Sequence, residues 1–165
     1  MVGPPRIDEV LAEHGAMITR IVAAYEAVPD RASDLAQEIL IALWKALPQF
    51  RGEASVRTFV ARIAQNRCVS HVVRHHKAAR LMELSDDLLS PGDGPEELAI
   101  DADRRQQLLA AIRSLPLAYR GPVALAVEGF SSLEIAQLMG ISVNAVAVRL
   151  TRAKTFLRAK FKDEP

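Results

Sequence analysis

Cys68, His71 and His75 stand at i, i+3 and i+7, with His76 beside them. On a helix this spacing sets three soft or imidazole ligands along one face, the donor set zinc prefers. A fourth ligand is not evident, so these residues read as an apolar cysteine and imidazoles on a helix, and no metal is expected. The sequence has no phosphate-cradling Gly-rich loop with Lys, no Gly-x-Ser-x-Gly, and no nucleophile paired with a base. No catalytic residue and no cofactor are expected. The chemistry the residue types do support is the binding of a polyanion. From Ala54 to Met82 there is no Asp or Glu, while Arg57, Arg62, Arg67, Arg74, Lys77 and Arg80 lie there with three histidines. From Ile135 to Lys162 the acids are absent again, and Arg149, Arg152, Lys154, Arg158, Lys160 and Lys162 remain. Every charged residue from Leu81 to Asp103 is acidic. A net charge of +1 hides this segregation, which points to one chain touching a polyanion at two places.

Composition sets the frame for those two stretches. The 165 residues are 50% hydrophobic but only 5% aromatic, and their Leu and Ala favour helices. That length suits one medium domain or two small helical ones. One cysteine excludes an intrachain disulfide and fits a reducing compartment. No apolar core follows basic residues at the N-terminus, so no signal peptide is expected. No apolar run approaches the roughly 20 residues of a membrane span. The expectation is a cytoplasmic protein.

Apolar residues at steps of three and four (Ile7, Val10, Leu11, His14, Ile18, Ile21, Val22, Tyr25) mark a first amphipathic helix. Ser33 is the expected cap of a second helix, whose apolar stripe is Leu35, Ile39, Leu43 and Leu47. Asp34, Gln37, Glu38, Ile41 and Lys45 lie largely away from that stripe. Ser55 caps a third stretch reaching about Lys77. Its apolar phase shifts from Val56, Phe59, Val60 and Ile63 to Val69, Val72 and Val73, which predicts a bend or break near Ala64–Asn66. Beyond it, Asn66, Arg67, Ser70, Arg74 and Lys77 share an arc of roughly 100°. Trp44 and Phe59 are expected to pack in the core, although Phe59 or Phe50 could stack on a base. Pro, Gly and acids between Ser85 and Glu97 read as an exposed tether. Helices over Ala102–Ser114 and Tyr119–Glu128 follow.

The best-defined local motif comes next. Ser131 and Glu134 form a capping box for a short helix ending at Gly140. Ser142 caps a longer basic helix from about Val143 to Phe161. Ala136 is small where the two helices must cross. This is a helix-turn-helix, whose second helix suits a major groove. Asn144, Ala145, Val148 and Arg149 are its candidates for base contact, with Ser142 at its start, and Arg can pair with guanine as Asn can with adenine. Arg152, Lys154 and Arg158 are placed to meet phosphates, which fix register.

The whole chain resembles a known family. Asp34-Leu35-Ala36-Gln37-Glu38, Leu43-Trp44, Phe50-Arg51-Gly52-Glu53, Arg57-Thr58-Phe59 and Arg62-Ile63-Ala64-Gln65-Asn66 resemble the promoter-melting domain of bacterial extracytoplasmic-function (ECF) sigma factors. Leu115-Pro116, Glu134-Ile135-Ala136, Gly140-Ile141-Ser142, Val146, Arg149-Leu150, Arg152-Ala153 and Leu157-Arg158 resemble the family's helix-turn-helix domain. The resemblance covers roughly residues 8–161. It implies an all-α fold of two small helical domains, at 1–80 and 99–165, joined by a flexible acidic linker at 81–98.

By that resemblance, Asp34, Gln37, Glu38, Ile41 and Lys45 would contact the clamp of the largest subunit of core RNA polymerase, and the second domain would meet the flap of the second largest. Arg57, Arg62, Asn66, Arg67, Ser70, His71, Arg74 and Lys77 would bind and open the −10 promoter element. Ser142, Asn144, Ala145, Val148, Arg149, Arg152 and Lys154 would read the −35 element. An anti-sigma factor is the further expected partner. Ser70 and Phe59 stand where the family usually has Asp and Trp, and Ala147 and Val148 where a basic or polar pair is common. The alternatives are a dimeric repressor or activator that binds duplex DNA alone, and a sigma mimic that binds only an anti-sigma protein. The strand-opening basic helix argues against the first, and Arg67, Arg74, Arg149 and Arg152 against the second.

Overall fold

The computed structural model describes residues 3–83 and 100–162. Within them run α1 (Ile7–Ala23), α2 (Pro29–Ala46), a single 3-10 turn (Leu47–Gln49), α3 (Val56–Glu83), α4 (Ile100–Ser114), α5 (Leu117–Val127), α6 (Ser132–Met139) and α7 (Val143–Lys162). No strand occurs among the described residues. The tether expected at 81–98 lies, from residue 84 onward, outside them. Among the described residues no single helix is long and apolar enough to cross a membrane.

The first unit is α1, α2 and α3 packed together. α1 buries Val10, His14, Met17, Ile18, Ile21 and Val22, the stripe its periodicity predicts. α2 buries Leu35, Ile39 and Leu43, each fully. It begins four residues before the expected cap at Ser33. Pro29 occupies the first turn, where its fixed φ favours a helix and its missing N–H is no loss. The Glu26 carboxylate accepts from the Val28 N–H at 2.8 Å and takes up the cap's free donor.

α3 corrects a second expectation, because no break interrupts it at Ala64–Asn66. It is one helix of 28 residues, roughly 42 Å long. Its buried stripe is Val60, Ala61, Ala64, Cys68 and His71, with Gln65. These are small or polar residues, so a reading from large apolar side chains sees a phase shift where the packed face is continuous. The Ser55 hydroxyl caps it, accepting from the Thr58 N–H at 3.1 Å.

The second unit, α4–α7, is centred on Ile112, Leu115, Leu125, Phe130, Ile135, Ala136 and Val146. Its capping box forms as expected. The Glu134 N–H donates to Ser131 Oγ at 3.2 Å, and the Ser131 N–H donates to Glu134 Oε2 at 2.6 Å. That hydrogen bond holds the Glu134 carboxyl below the usual carboxylate range. Gly140 ends α6 in the left-handed region at φ 67°, and the α6 and α7 axes diverge by 107°, within the range of a helix-turn-helix. Gly140→Ala should lower stability by about 1–2 kcal/mol, the usual cost of a Cβ in that region, as read by denaturant unfolding at unchanged m. A smaller loss would mean the turn relaxes.

The two units also pack on each other, α3 against α5 and α6. Arg113 Nη1 on α4 donates to the Ala23 carbonyl at the end of α1, at 2.7 Å. Gln65 on α3 lies so close to Gly121 that a Cβ there would come within 2.3 Å of its Nε2.

Candidate nucleic-acid interface

Six of the eight residues assigned to the −10 element share one solvent-facing side of α3. Arg62, Asn66, Arg67, Ser70, Arg74 and Lys77 are all exposed. The continuous helix is what aligns them. Asn66, Arg67 and Ser70 also line, with Ala42, Ala46 and Ile63, a recess of about 310 Å³ between α2 and α3. Amide, hydroxyl and guanidinium groups therefore line this hollow together with alanine and isoleucine side chains. Phe59 packs edge-to-face on Phe50, ring centroids 4.9 Å apart, and is half-buried.

The other two, His71 and Arg57, do not lie on that exposed face in this structure. His71 is 4% exposed, and its Nε2 lies 2.8 Å from Glu26 Oε2. Burial tends to raise the Glu26 carboxyl. The His71 hydrogen bond, the Val28 N–H and the nearby Arg31 more than offset this and hold it below the usual range. The ring thus braces α3 against the segment between α1 and α2 and does not face solvent. Arg57 is half-buried and turned toward the second unit. It donates to the Glu128 carbonyl, and its guanidinium carbon lies 3.9 Å from the Phe130 ring centroid. Arg74 stays on the exposed face but pairs with Glu38 at 2.9 Å.

Cys68, His71 and His75 do not converge. The His71 and His75 rings pack at a 57° tilt with centroids 4.2 Å apart, but Cys68 is wholly buried in the α3 packing. Among the described residues no group of three His, Cys, Asp or Glu could hold a metal ion. Burial pushes the Cys68 thiol up to about 12. The native chain should therefore not react with a thiol reagent at pH 8 over an hour, and should react fully in denaturant. Rapid native labelling would contradict this burial.

On α7, the Ala145 N–H donates to Ser142 Oγ at 3.0 Å and fixes the first turn. Val146 and Ala153 are buried against the rest of the unit. Asn144, Val148, Arg152 and Lys154 are exposed, and Ala145 and Arg149 are half-buried. The four cations Arg149, Arg152, Lys154 and Arg158 form no ion pair among the described residues.

A third surface lies on α2. Asp34, Gln37, Ile41 and Lys45 are exposed and Glu38 is half-buried, all on the side opposite Leu35, Ile39 and Leu43. Trp44, expected in the core, is 65% exposed beside Ile41 at 55%. Its spacing held the signal. Trp44 follows Ile41 by three and Gln37 by seven, so it belongs to the polar face and not to the apolar stripe.

These surfaces match a known family. The family description "Sigma-70 region 2" fits residues 10–78, and "Sigma-70, region 4" fits residues 105–157. The ECF RNA polymerase sigma-E factor of Escherichia coli strain K12 is 30% identical over 131 residues, covering 73% of this chain and 69% of that protein. The ECF sigma factor SigE of Mycolicibacterium smegmatis is 27% identical over 158 residues, 93% of this chain and 61% of that protein. Two solved structures share the fold. CnrH in complex with the cytosolic domain of CnrY has a TM-score of 0.70 at 23% identity, over 96% of this chain and 89% of that one. The sigma factor RpoE in complex with the anti-sigma factor NepR, from Bartonella quintana, has a TM-score of 0.70 at 22% identity, over 96% and 97%. The chain belongs to the ECF RNA polymerase sigma factor family.

Proposed function

We propose that this sigma factor works through three separate surfaces. Asp34, Gln37, Glu38, Ile41, Trp44 and Lys45 dock on the clamp of the largest polymerase subunit. Arg62, Asn66, Arg67, Ser70, Arg74 and Lys77 hold the opened −10 element, and α7 reads the −35 element. In this division residues 1–80 form the −10 and polymerase domain, 81–98 the tether, and 99–165 the −35 domain, which also meets the flap of the second largest subunit. The protein acts in the bacterial cytoplasm on nucleoid DNA, and polymerisation chemistry belongs to the core enzyme.

The recess beside Asn66, Arg67 and Ser70 carries this reading. Opening a duplex requires cations for the displaced strand and a surface that receives an unstacked base. The recess offers hydrogen-bonding groups at its rim and the exposed arginines supply the cations. In α7, Val148 is exposed where a hydrogen-bonding side chain is common in the family, which favours contact with a thymine methyl. In both solved relatives a second protein is bound, the cytosolic domain of CnrY in one and the anti-sigma factor NepR in the other. An anti-sigma factor restrains this chain in the same manner.

Run-off transcription with purified core polymerase tests the reading. The wild type should drive promoter-specific transcripts that core alone does not make. Arg149→Ala should lose most of them while still binding core. Unchanged transcripts from Arg149→Ala would remove α7 from promoter readout.

A further inference from the structure

A groove of about 510 Å³ lies between α3, the turn from α4 into α5, and α7. That volume is in the range of small-molecule sites, about 300–1,000 Å³. Val72, Val73, Leu115, Pro116, Leu117 and Phe156 give it apolar walls. Val73 and Phe156 stay 39% and 41% exposed there, while Leu115 is buried. Arg120, Lys77 and His76 supply its polar side, and no acidic side chain is among the described residues that line it. Apart from Lys77, none of these residues belongs to the polymerase and promoter surfaces assigned above.

Arg120 gives the groove its chemistry. The residue is half-buried. Its Nη2 donates to the Leu115 carbonyl at 3.0 Å, which holds the guanidinium beside the apolar wall. Its Nε is buried with no hydrogen-bond partner among the described residues. No carboxylate among them pairs with Arg120, Lys77 or His76. Burial holds the Arg120 pKa below its usual range. A partly desolvated charge without a counter-ion is costly, so an oxyanion that reaches it is bound favourably. The planar fork of a guanidinium fits a carboxylate best. α5 starts at this groove with Pro116 as its N-cap, no side-chain cap and no acid in its first turn, which adds to the positive potential.

The walls exclude two simpler occupants. A nucleic-acid backbone would meet the cations but gain nothing from six apolar side chains. A neutral apolar molecule would cover those side chains but take the guanidinium further from water without a partner. The two features together select a molecule with an apolar body and one anionic head.

We propose that this groove is a binding site for a monomeric amphipathic carboxylate, with its apolar body against Val73, Leu115, Pro116 and Phe156 and its head on Arg120 and Lys77. The site stands independently of the promoter reading, because binding is measured on the chain alone.

Calorimetric titration of the full chain with decanoate, decanol and decyltrimethylammonium, each below self-association, tests it. One decanoate should bind per chain. Decanol should bind about 10-fold or more weakly, the worth of a charge-assisted hydrogen bond, and the cationic amphiphile more weakly still. Arg120→Gln should bring decanoate down to the affinity of decanol and leave decanol unchanged, a split that general loss of structure does not produce. Lys77→Gln, at an exposed position, should weaken decanoate alone by about 2–5-fold. Phe156→Asp, also exposed, should abolish binding of both. If Arg120→Gln fails to fold, the other two variants decide the question. Equal affinity for decanoate and decanol, no saturation at one per chain, or unchanged binding by Phe156→Asp overturns the site. Decanoate binding that emerges only after Asp86 and Asp87 are replaced by Asn, and Glu96 and Glu97 by Gln, also overturns it, since the chain's own acidic segment would then be the occupant.

Discussion

Trp44→Ala should weaken binding to core RNA polymerase by roughly 30-fold or more while leaving the fold's stability within about 0.5 kcal/mol of wild type. The reasoning begins with exposure. A tryptophan that is 65% exposed beside an isoleucine that is 55% exposed forms a large apolar patch with little to hold it in the free protein. Asp34, Gln37 and Lys45 ring that patch with polar groups. An aromatic anchor inside a polar rim is the arrangement in which one residue carries a large share of binding energy, often 2 kcal/mol or more. Because Trp44 contributes little to the core, truncation leaves no cavity. Titration of labelled sigma with core polymerase measures the first effect and denaturant unfolding the second. Unchanged affinity would move the polymerase surface off this face of α2.

Leu43→Ala should do the reverse. The neighbouring leucine is wholly buried at the junction of α1, α2 and α3. Removing it costs about 2–5 kcal/mol, the transfer term plus a cavity. That is a large share of a total that for most domains is about 5–15 kcal/mol. At roughly 2–4 °C per kcal/mol for a chain of this size, the melting temperature should fall by about 4–20 °C. Polymerase affinity measured well below that midpoint should change little. If Leu43→Ala weakened polymerase binding as much as Trp44→Ala does at a temperature where both are folded, the two faces of α2 would not be separate devices.

The parts of the fold legible in the sequence are those set by local chemistry. The helix-turn-helix is specified within about thirty residues by Ser131, Glu134, Gly140 and Ser142, each satisfying its own cap or turn. Amphipathic stripes in α1 and α2 are likewise local. What escaped the sequence depends on partners far along the chain. The buried stripe of α3 is made of Ala61, Ala64, Cys68 and His71, and small or polar residues give no periodic apolar signal. His71 is buried because Glu26, 45 positions away, accepts its hydrogen bond. Arg57 and Arg20 look like any DNA-binding cations until Glu128 is brought beside them, 71 and 108 positions along the chain. Arginine serves a polyanion and an internal carboxylate by the same geometry, so residue type alone does not separate the two uses. Trp44 misled for a related reason. Tryptophan favours burial on average, but its register on α2 put it on the polar face.

The central claim is that the α3 face and its recess hold an opened −10 strand when core polymerase is present. Permanganate oxidation of unpaired thymines on a promoter selected by run-off mapping tests it most directly. With core and wild-type sigma together, thymines around −10 should become reactive, and with either protein alone they should not. Replacing Asn66, Arg67 and Ser70 together by Ala should abolish that reactivity while the −35 footprint and polymerase binding persist. Full reactivity in the triple variant would contradict the account.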